Sequence, residues 1–298
     1  MLLLSALFAC ATGSERALMK MSQMNIVYSQ ESFVQKAKEG DVQAVKYFLI
    51  AGIDPSLRDK QGSTALIEAS KEGHKEIVNL LLEKGADING KDAAFGATAL
   101  IWAAFSGHMD VATRLLDKGA DLNTRERKNG LSALLAASVG GHTDTVALLL
   151  DKGATIESGD RDGRTALMWA AHGGRTETVA FLLDRGADLE AVEREKGLNA
   201  FMSAAMMGRT ETAELMLKRG TDIERRDRDG RTALMWAASC GRLEMVEFLI
   251  EKGARVHTED NKGMTALTWA KRSKLRAETK KKLVEVLLTE GSKVEGRK

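Results

Sequence analysis

The feature that most constrains this chain is repetition at a fixed period. Asp162–Ala171 reads DGRTALMWAA, and Asp229–Ala238 repeats it letter for letter. A degenerate copy, Gly197–Ala205, lies between them, so the unit is 33 or 34 residues long. The glycines that open the units are Gly62, Gly96, Gly130, Gly163, Gly197, Gly230 and Gly263. A unit this short cannot bury its own apolar face, so neighbouring copies must stack to build a core.

Every period has the same parts. Two residues after the glycine stands Thr64, Thr98, Ser132, Thr165, Asn199, Thr232 or Thr265. These side chains can accept a free N–H at a helix start. A short Ala-rich helix follows, then a second glycine such as Gly73 or Gly174. Glycine supplies the positive φ that a tight turn needs. The second helix opens with an acid, as in Asp110 and Glu177, which suits the positive end of its dipole. Val78, Leu81 and Leu82, like Val179, Leu182 and Leu183, fall at i, i+3 and i+4 and form one apolar stripe. A cation and a glycine stop the helix, as in Lys84-Gly85 and Arg185-Gly186. Most of the 28 glycines therefore serve the repeat and not a phosphate-binding loop.

The motifs Gly-x-Thr-Ala-Leu-x-x-Ala-Ala and Leu-Leu-x-x-Gly-Ala-Asp resemble the ankyrin repeat. The resemblance implies an all-α fold, an ankyrin-type α-solenoid of helix-turn-helix repeats with short β-turn fingers. It covers residues 30–298 as about eight units: 30–61, 62–95, 96–129, 130–162, 163–196, 197–229, 230–262 and 263–298. The proline of the family's Thr-Pro-Leu-His is Ala here, as in Ala65, Ala166 and Ala233, and alanine is a good helix former. The histidine is replaced by Ile67, Ile101, Leu135, Met168, Met202, Met235 and Thr268, which predicts apolar packing between units. The first unit lacks the Thr-Ala-Leu signature. The last carries an insertion between Trp269 and Leu283, read as an extended, polar first helix or turn.

Ahead of the repeats, Met1–Cys10 reads MLLLSALFAC, which is too short to span a bilayer as a helix. Leu7-Phe8-Ala9-Cys10 resembles a loose lipobox and makes Cys10 a candidate lipidation site, although no cation precedes the apolar run. Two locations stay open: a periplasmic or membrane-anchored lipoprotein, and a cytoplasmic protein that starts at Met19, Met21 or Met24. Ala11–Gln30 is polar without clear periodicity and predicts a tether, so residues 1–29 stand apart as signal segment and tether.

Net charge is only +2, which points away from nucleic acid as the partner. Cys10 and Cys240 cannot make a zinc site alone, and no clustered Cys, His and carboxylate set suggests another metal. His74, His108 and His142 recur at one repeat position, which marks them as structural. Ser, His and Asp all sit where the repeat puts them, and no catalytic triad follows. The expectation is a non-enzymatic, cofactor-free monomer that binds one or more proteins as a scaffold or adaptor. Two alternatives are an inhibitor or immunity-type partner of an enzyme, and a binder of anionic surfaces through the basic last unit. That unit carries Lys271, Arg272, Lys274, Arg276, Lys280, Lys281 and Lys282. The resemblance places partner contacts on the concave face of the first helices and on the fingers. The groove candidates are Trp102, Phe105, Val139, Trp169, His172, Met206, Met207, Trp236 and Cys240. The finger candidates are Arg127, Arg161, Arg194 and Arg228. The tryptophans at this position are also well placed to pack between neighbouring helices.

Overall fold

A side-chain oxygen opens almost every first helix. Thr64, Thr98, Thr165, Asn199 and Thr265 accept the N–H three residues on, which satisfies one donor of the unbonded first turn. Ser132 does the same for Leu135. Thr232 keeps the extended backbone of a cap but makes no such bond.

The computed structural model describes residues 12–295. Helix α1, Gly13–Gln23, precedes eight helix pairs among these residues. The pairs are α2 Gln30–Glu39 with α3 Val42–Ile50, α4 Ala65–Glu72 with α5 Lys75–Glu83, α6 Ala99–Ser106 with α7 Met109–Asp117, and α8 Ala133–Gly140 with α9 Thr143–Asp151. They continue as α10 Ala166–Gly173 with α11 Thr176–Asp184, α12 Ala200–Met207 with α13 Thr210–Lys218, α14 Ala233–Ser239 with α15 Leu243–Glu251, and α16 Ala266–Arg272 with α17 Ala277–Glu295. Chain contacts define two compact units: Met1–Ala137 with Asp144–Ala154, and Ser138–Thr143 with Thr155–Lys298.

In the first unit α2 packs on α4 and α4 on α6; in the second α10 packs on α12, α12 on α14 and α14 on α16. Fully buried alanines such as Ala69, Ala103, Ala170, Ala204 and Ala237 let these first helices lie close. The second helices supply the bulk of the core. Leu81 and Leu115 in the first unit, and Leu182, Met216 and Leu249 in the second, have no exposed surface. Ile67, Met168, Met202 and Met235 are buried too, as the apolar substitutions at the family's histidine position predict.

Polar bonds also join successive repeats, at a position the sequence reading treated only as periodic. His74 Nε2 pairs with the Lys38 carbonyl and His108 Nε2 with that of Lys71. In the second unit arginine takes over: Arg175, Arg209 and Arg242 each donate Nε–H to the carbonyls of Val139, His172 and Met206. The ring or guanidinium lies against the glycine that ends the preceding first helix. A Cβ on Gly73 would come within 2.6 Å of His108, and one on Gly174 within 2.7 Å of Arg209. Glycine is needed there twice over, because φ is also positive, +81° and +72°.

Between pairs, the chain turns back as a short finger, without extended strands among the described residues. Backbone bonds close the hairpins: Asp92, Asp160 and Asp227 N–H donate to Ala97, Arg164 and Arg231, and Gly96, Gly163 and Gly230 N–H donate back to the same three acids' carbonyls. Neighbouring fingers are joined by Arg127 N–H to Phe95, Arg194 N–H to Asp162 and Arg228 N–H to Lys196.

At the ends one expectation changes and another narrows. Where the sequence predicts a tether, Gly13–Gln23 is a helix. Thr12 and Glu15 form a capping box at its start, and Ala17 and Met21, four apart, are buried where α1 packs on α3. Ser14 Oγ–H donates to the Ile50 carbonyl. The apolar run and Cys10 lie outside the described residues. In the last repeat the insertion falls in the turn and not in the first helix: α16 stops at Arg272, and the extra residues form the link 273–276 and lengthen α17. Leu275 then lies against Gly241, where earlier repeats use His or Arg.

Candidate functional site

The C-terminal end of each first helix brings side chains to one repeated place, just before the turn glycine. In the second unit Val139, His172 and Met206 occupy equivalent positions in consecutive repeats. Arg175, Arg209 and Arg242 of the next repeats donate to their carbonyls. Val139, His172 and Met206 are half-buried, as are Met207 and Cys240. In the first unit the equivalent Phe105 is 43% exposed. The His172 ring meets Trp169 edge-on, with centroids 5.9 Å apart. Burial, with the Arg164 and Arg209 charges, holds the His172 imidazole below its ordinary value and favours the neutral ring.

One turn back, the tryptophans are tied to their own fingers. Nε1–H of Trp102 donates to Asp92, Trp169 to Asp160, Trp236 to Asp227 and Trp269 to Asp260, at 2.6–3.0 Å. Cations cover their faces. Arg164 lies over Trp169, Lys196 over Trp236, and the Arg231 guanidinium over both Trp236 and Trp269. Trp236 is left 7% exposed, so the sequence candidates Trp102, Trp169 and Trp236 are embedded in the repeat frame to different depths.

In two of the three units without the tryptophan the acid changes too, while the unit with Glu68 in its place keeps Asp59. The units with Ala136 and Ser203 in its place carry Glu126 and Glu193 where the others carry Asp. The longer side chain turns back into its own finger. Glu126 accepts the N–H groups of Lys128, Asn129 and Leu131, and Glu193 those of Glu195, Lys196 and Leu198. Burial pushes the Glu193 carboxyl up, but backbone N–H groups from Leu198, Glu195, Lys196 and Gly197 outweigh it and hold it below the ordinary range. At Asp260 burial likewise opposes the N–H groups of Met264 and Lys262, the Trp269 indole and Arg231, and again the net shift is downward.

The finger arginines join finger to finger. Arg194 donates to the Arg161 carbonyl, and Arg228 to those of Arg194 and Glu195. Arg127, Arg161, Arg194 and Arg228 are all exposed. Of the C-terminal cations, Lys282 pairs with Glu278 at 3.0 Å, while Lys271, Arg272, Lys274, Arg276 and Lys281 are exposed.

The first unit also holds an open pocket of about 270 Å³ beside Trp102, lined by Phe95, Ala97, Ile101, Phe105, Glu126, Asn129, Leu131 and Ala136. Phe95 was not among the sequence candidates. The signal was present, since it is an aromatic at a finger position that is polar elsewhere. Among the described residues no group of three His, Cys, Asp or Glu is placed to hold a metal ion, and no helix is long and apolar enough to cross a membrane.

Comparison with known proteins gives the same frame. A family model described as ankyrin repeats (3 copies) matches residues 33–126, 123–193 and 201–297. Serine/threonine-protein kinase 12 of Arabidopsis thaliana is 41% identical over 56 residues, which is 19% of this chain and 12% of the kinase. The putative ankyrin repeat protein YahD of Escherichia coli K12 is 36% identical over 69 residues, 23% of this chain and 34% of YahD. These matches span about a third or less of either relative's length. The crystal structure of the human ASB11 ankyrin repeat domain superposes with a TM-score of 0.65 at 26% identity, over 75% of this chain and 98% of that one.

Proposed function

The chain belongs to the ankyrin repeat family, and on that premise we propose that it is a non-enzymatic scaffold or adaptor that binds a protein partner. Ankyrin repeats are generally protein–protein interaction modules. The observation that carries the reading to particular residues is the row Val139, His172, Met206 in the second unit, with Met207 beside it. These side chains are half-buried, stand at equivalent positions of consecutive repeats and are not consumed by the second-helix core. Methionine adapts to varied surfaces, and a neutral, partly desolvated imidazole suits an interface that excludes water. The exposed guanidiniums of Arg161, Arg194 and Arg228 stand on the fingers of the same unit, with Glu195 and Asp229 exposed among them. Such charge steers association more than it sets final affinity.

The test is recovery of partners by the whole chain from its native source, followed by measurement with Met206→Ala/Met207→Ala. Affinity is expected to fall about ten-fold or more if these residues are central anchors. Undiminished binding, with folding intact by circular dichroism, would remove them from the interface.

A further inference from the structure

The finger that precedes α6 differs from all the others. It reads Lys91-Asp92-Ala93-Ala94-Phe95-Gly96, and Ala93, Ala94 and Phe95 are exposed. The residue before the finger glycine is polar in every other unit: Gln61, Asn129, Asp162, Lys196, Asp229 and Lys262. Phe95 and Phe105 are the two phenylalanines more than a third exposed among the described residues, at 40% and 43%. Both meet the Trp102 ring edge-on, at 5.6 and 6.0 Å between centroids. Asp92 fixes that indole through Nε1, so the three rings form a rigid aromatic wall.

Next to this wall the following unit has Ala136 where an indole would otherwise fill the space. The opening is about 270 Å³ and its floor is Ile101, Leu131 and Ala136. Sites for small organic ligands usually run from about 300 to 1,000 Å³. This one is closer to the size of a single large side chain. The carboxylates at the pocket are not available to a ligand: Asp92 serves Trp102 and backbone N–H groups, and Glu126 serves its own finger. The charge adjoining the lining is cationic at exposed Lys91, Arg127 and Lys128 and at half-buried Lys71, with exposed Glu72 next to Lys71 in the chain. Lys71 lies 4.9 Å from the Trp102 centroid, and Lys91, Arg127 and Lys128 adjoin the lining residues in sequence.

We propose that this pocket receives one bulky apolar side chain from an acidic segment of a partner protein. The inference rests on the reading of the chain as a binding module and adds what the partner must present. An aromatic, leucine or methionine anchor fills the socket against Phe95, Trp102 and Phe105, and Asp or Glu residues on either side meet the cations. Interface energy concentrates in such buried anchors, and the surrounding charges select the partner.

The test uses the full-length chain and short random peptides displayed on phage. Enriched peptides should carry Phe, Trp, Leu or Met flanked by Asp or Glu. A synthetic copy should bind wild type about ten-fold more tightly than Glu126→Asp/Ala136→Trp, which rebuilds the Asp–Trp pair of the neighbouring units and closes the socket. The chain already accommodates indoles in consecutive repeats, at Trp236 and Trp269, so this variant should fold. Phe95→Gln, which copies Gln61 at an exposed position, should weaken the same peptide and leaves the core untouched. The proposal is overturned if no peptide is enriched, if the anchor is absent or its flanks are basic, or if both variants bind as wild type does. It is also overturned, in favour of a second copy of this chain, if wild type sediments as a dimer and the closed-socket variant as a monomer. A native partner that ignores the closed socket but is lost with Met206→Ala/Met207→Ala would keep the module and reject the socket.

Discussion

At the level of single residues, the carboxylates of the fingers matter more than the cations around them. Asp227 is 7% exposed and accepts from the Trp236 indole as well as from the Asp229 and Arg231 backbone. Trp236→Phe keeps most of the apolar contact but removes one donor from a buried acid. The expected loss is about 1–3 kcal/mol, read from urea or thermal unfolding; no loss would mean that the indole bond contributes nothing net. Glu193 gives a pH-dependent version. Its carboxyl is held below its ordinary value of 4.5, so its contribution is fully present above that pH and is lost as pH falls through the lower folded-state value. Glu193→Gln should therefore melt well below wild type at pH 7, and the gap should narrow below about pH 4.5. A gap independent of pH would refute the ionised form as the source.

At the level of elements, the helix stops divide into two kinds of glycine. Gly186 ends a second helix at φ +84° with nothing within 4 Å of an added Cβ, whereas Gly174 adds the close contact with Arg209. Gly186→Ala should cost about 1–2 kcal/mol for the left-handed backbone alone. Gly174→Ala should cost more, because it also displaces the guanidinium from the His172 carbonyl. Equal melting temperatures for the two variants would show that the Arg209 contact adds nothing. Helix pairs, their caps and their stops were legible in the sequence because each recurs with the period, and repetition averages out local ambiguity. What recurs imperfectly was harder to read. The His-to-Arg switch at His74, His108, Arg175 and Arg209 hid a shared bond behind two chemistries. Helix α1 was missed because its buried face is Ala17 and Met21 alone, too few positions to declare a helical period. The positions of His172 and Met206 before the turn glycine follow from the period, whereas Phe95 departs from it, because the other fingers carry a polar residue there.

For the whole molecule, stability in a repeat array is a sum of local terms, each repeat supported by its neighbours. The terminal element then determines how readily fraying starts. Helix α1 covers α3, and Met21 is 1% exposed there. Met21→Ala should cost about 2–5 kcal/mol locally. By hydrogen exchange, protection should fall first in α1 to α3, while α11 to α15 keep their rates. Uniform loss across the chain would mean that the array unfolds as one cooperative block.

The pairing of Asp with Trp in four units, and of Glu126 and Glu193 with Ala136 and Ser203 in two, has a consequence for how such a chain can change. Asp92 and Asp160 give their second oxygen to an indole, whereas Glu126 and Glu193 turn to their own backbone, and beside Ala136 the space is left open. A unit can thus be converted from filled to hollow by two compensating substitutions, with no helix moved and no polar atom stranded. Two positions per repeat, one on the finger and one on the first helix, shape the relief of the surface while the scaffold beneath it stays the same.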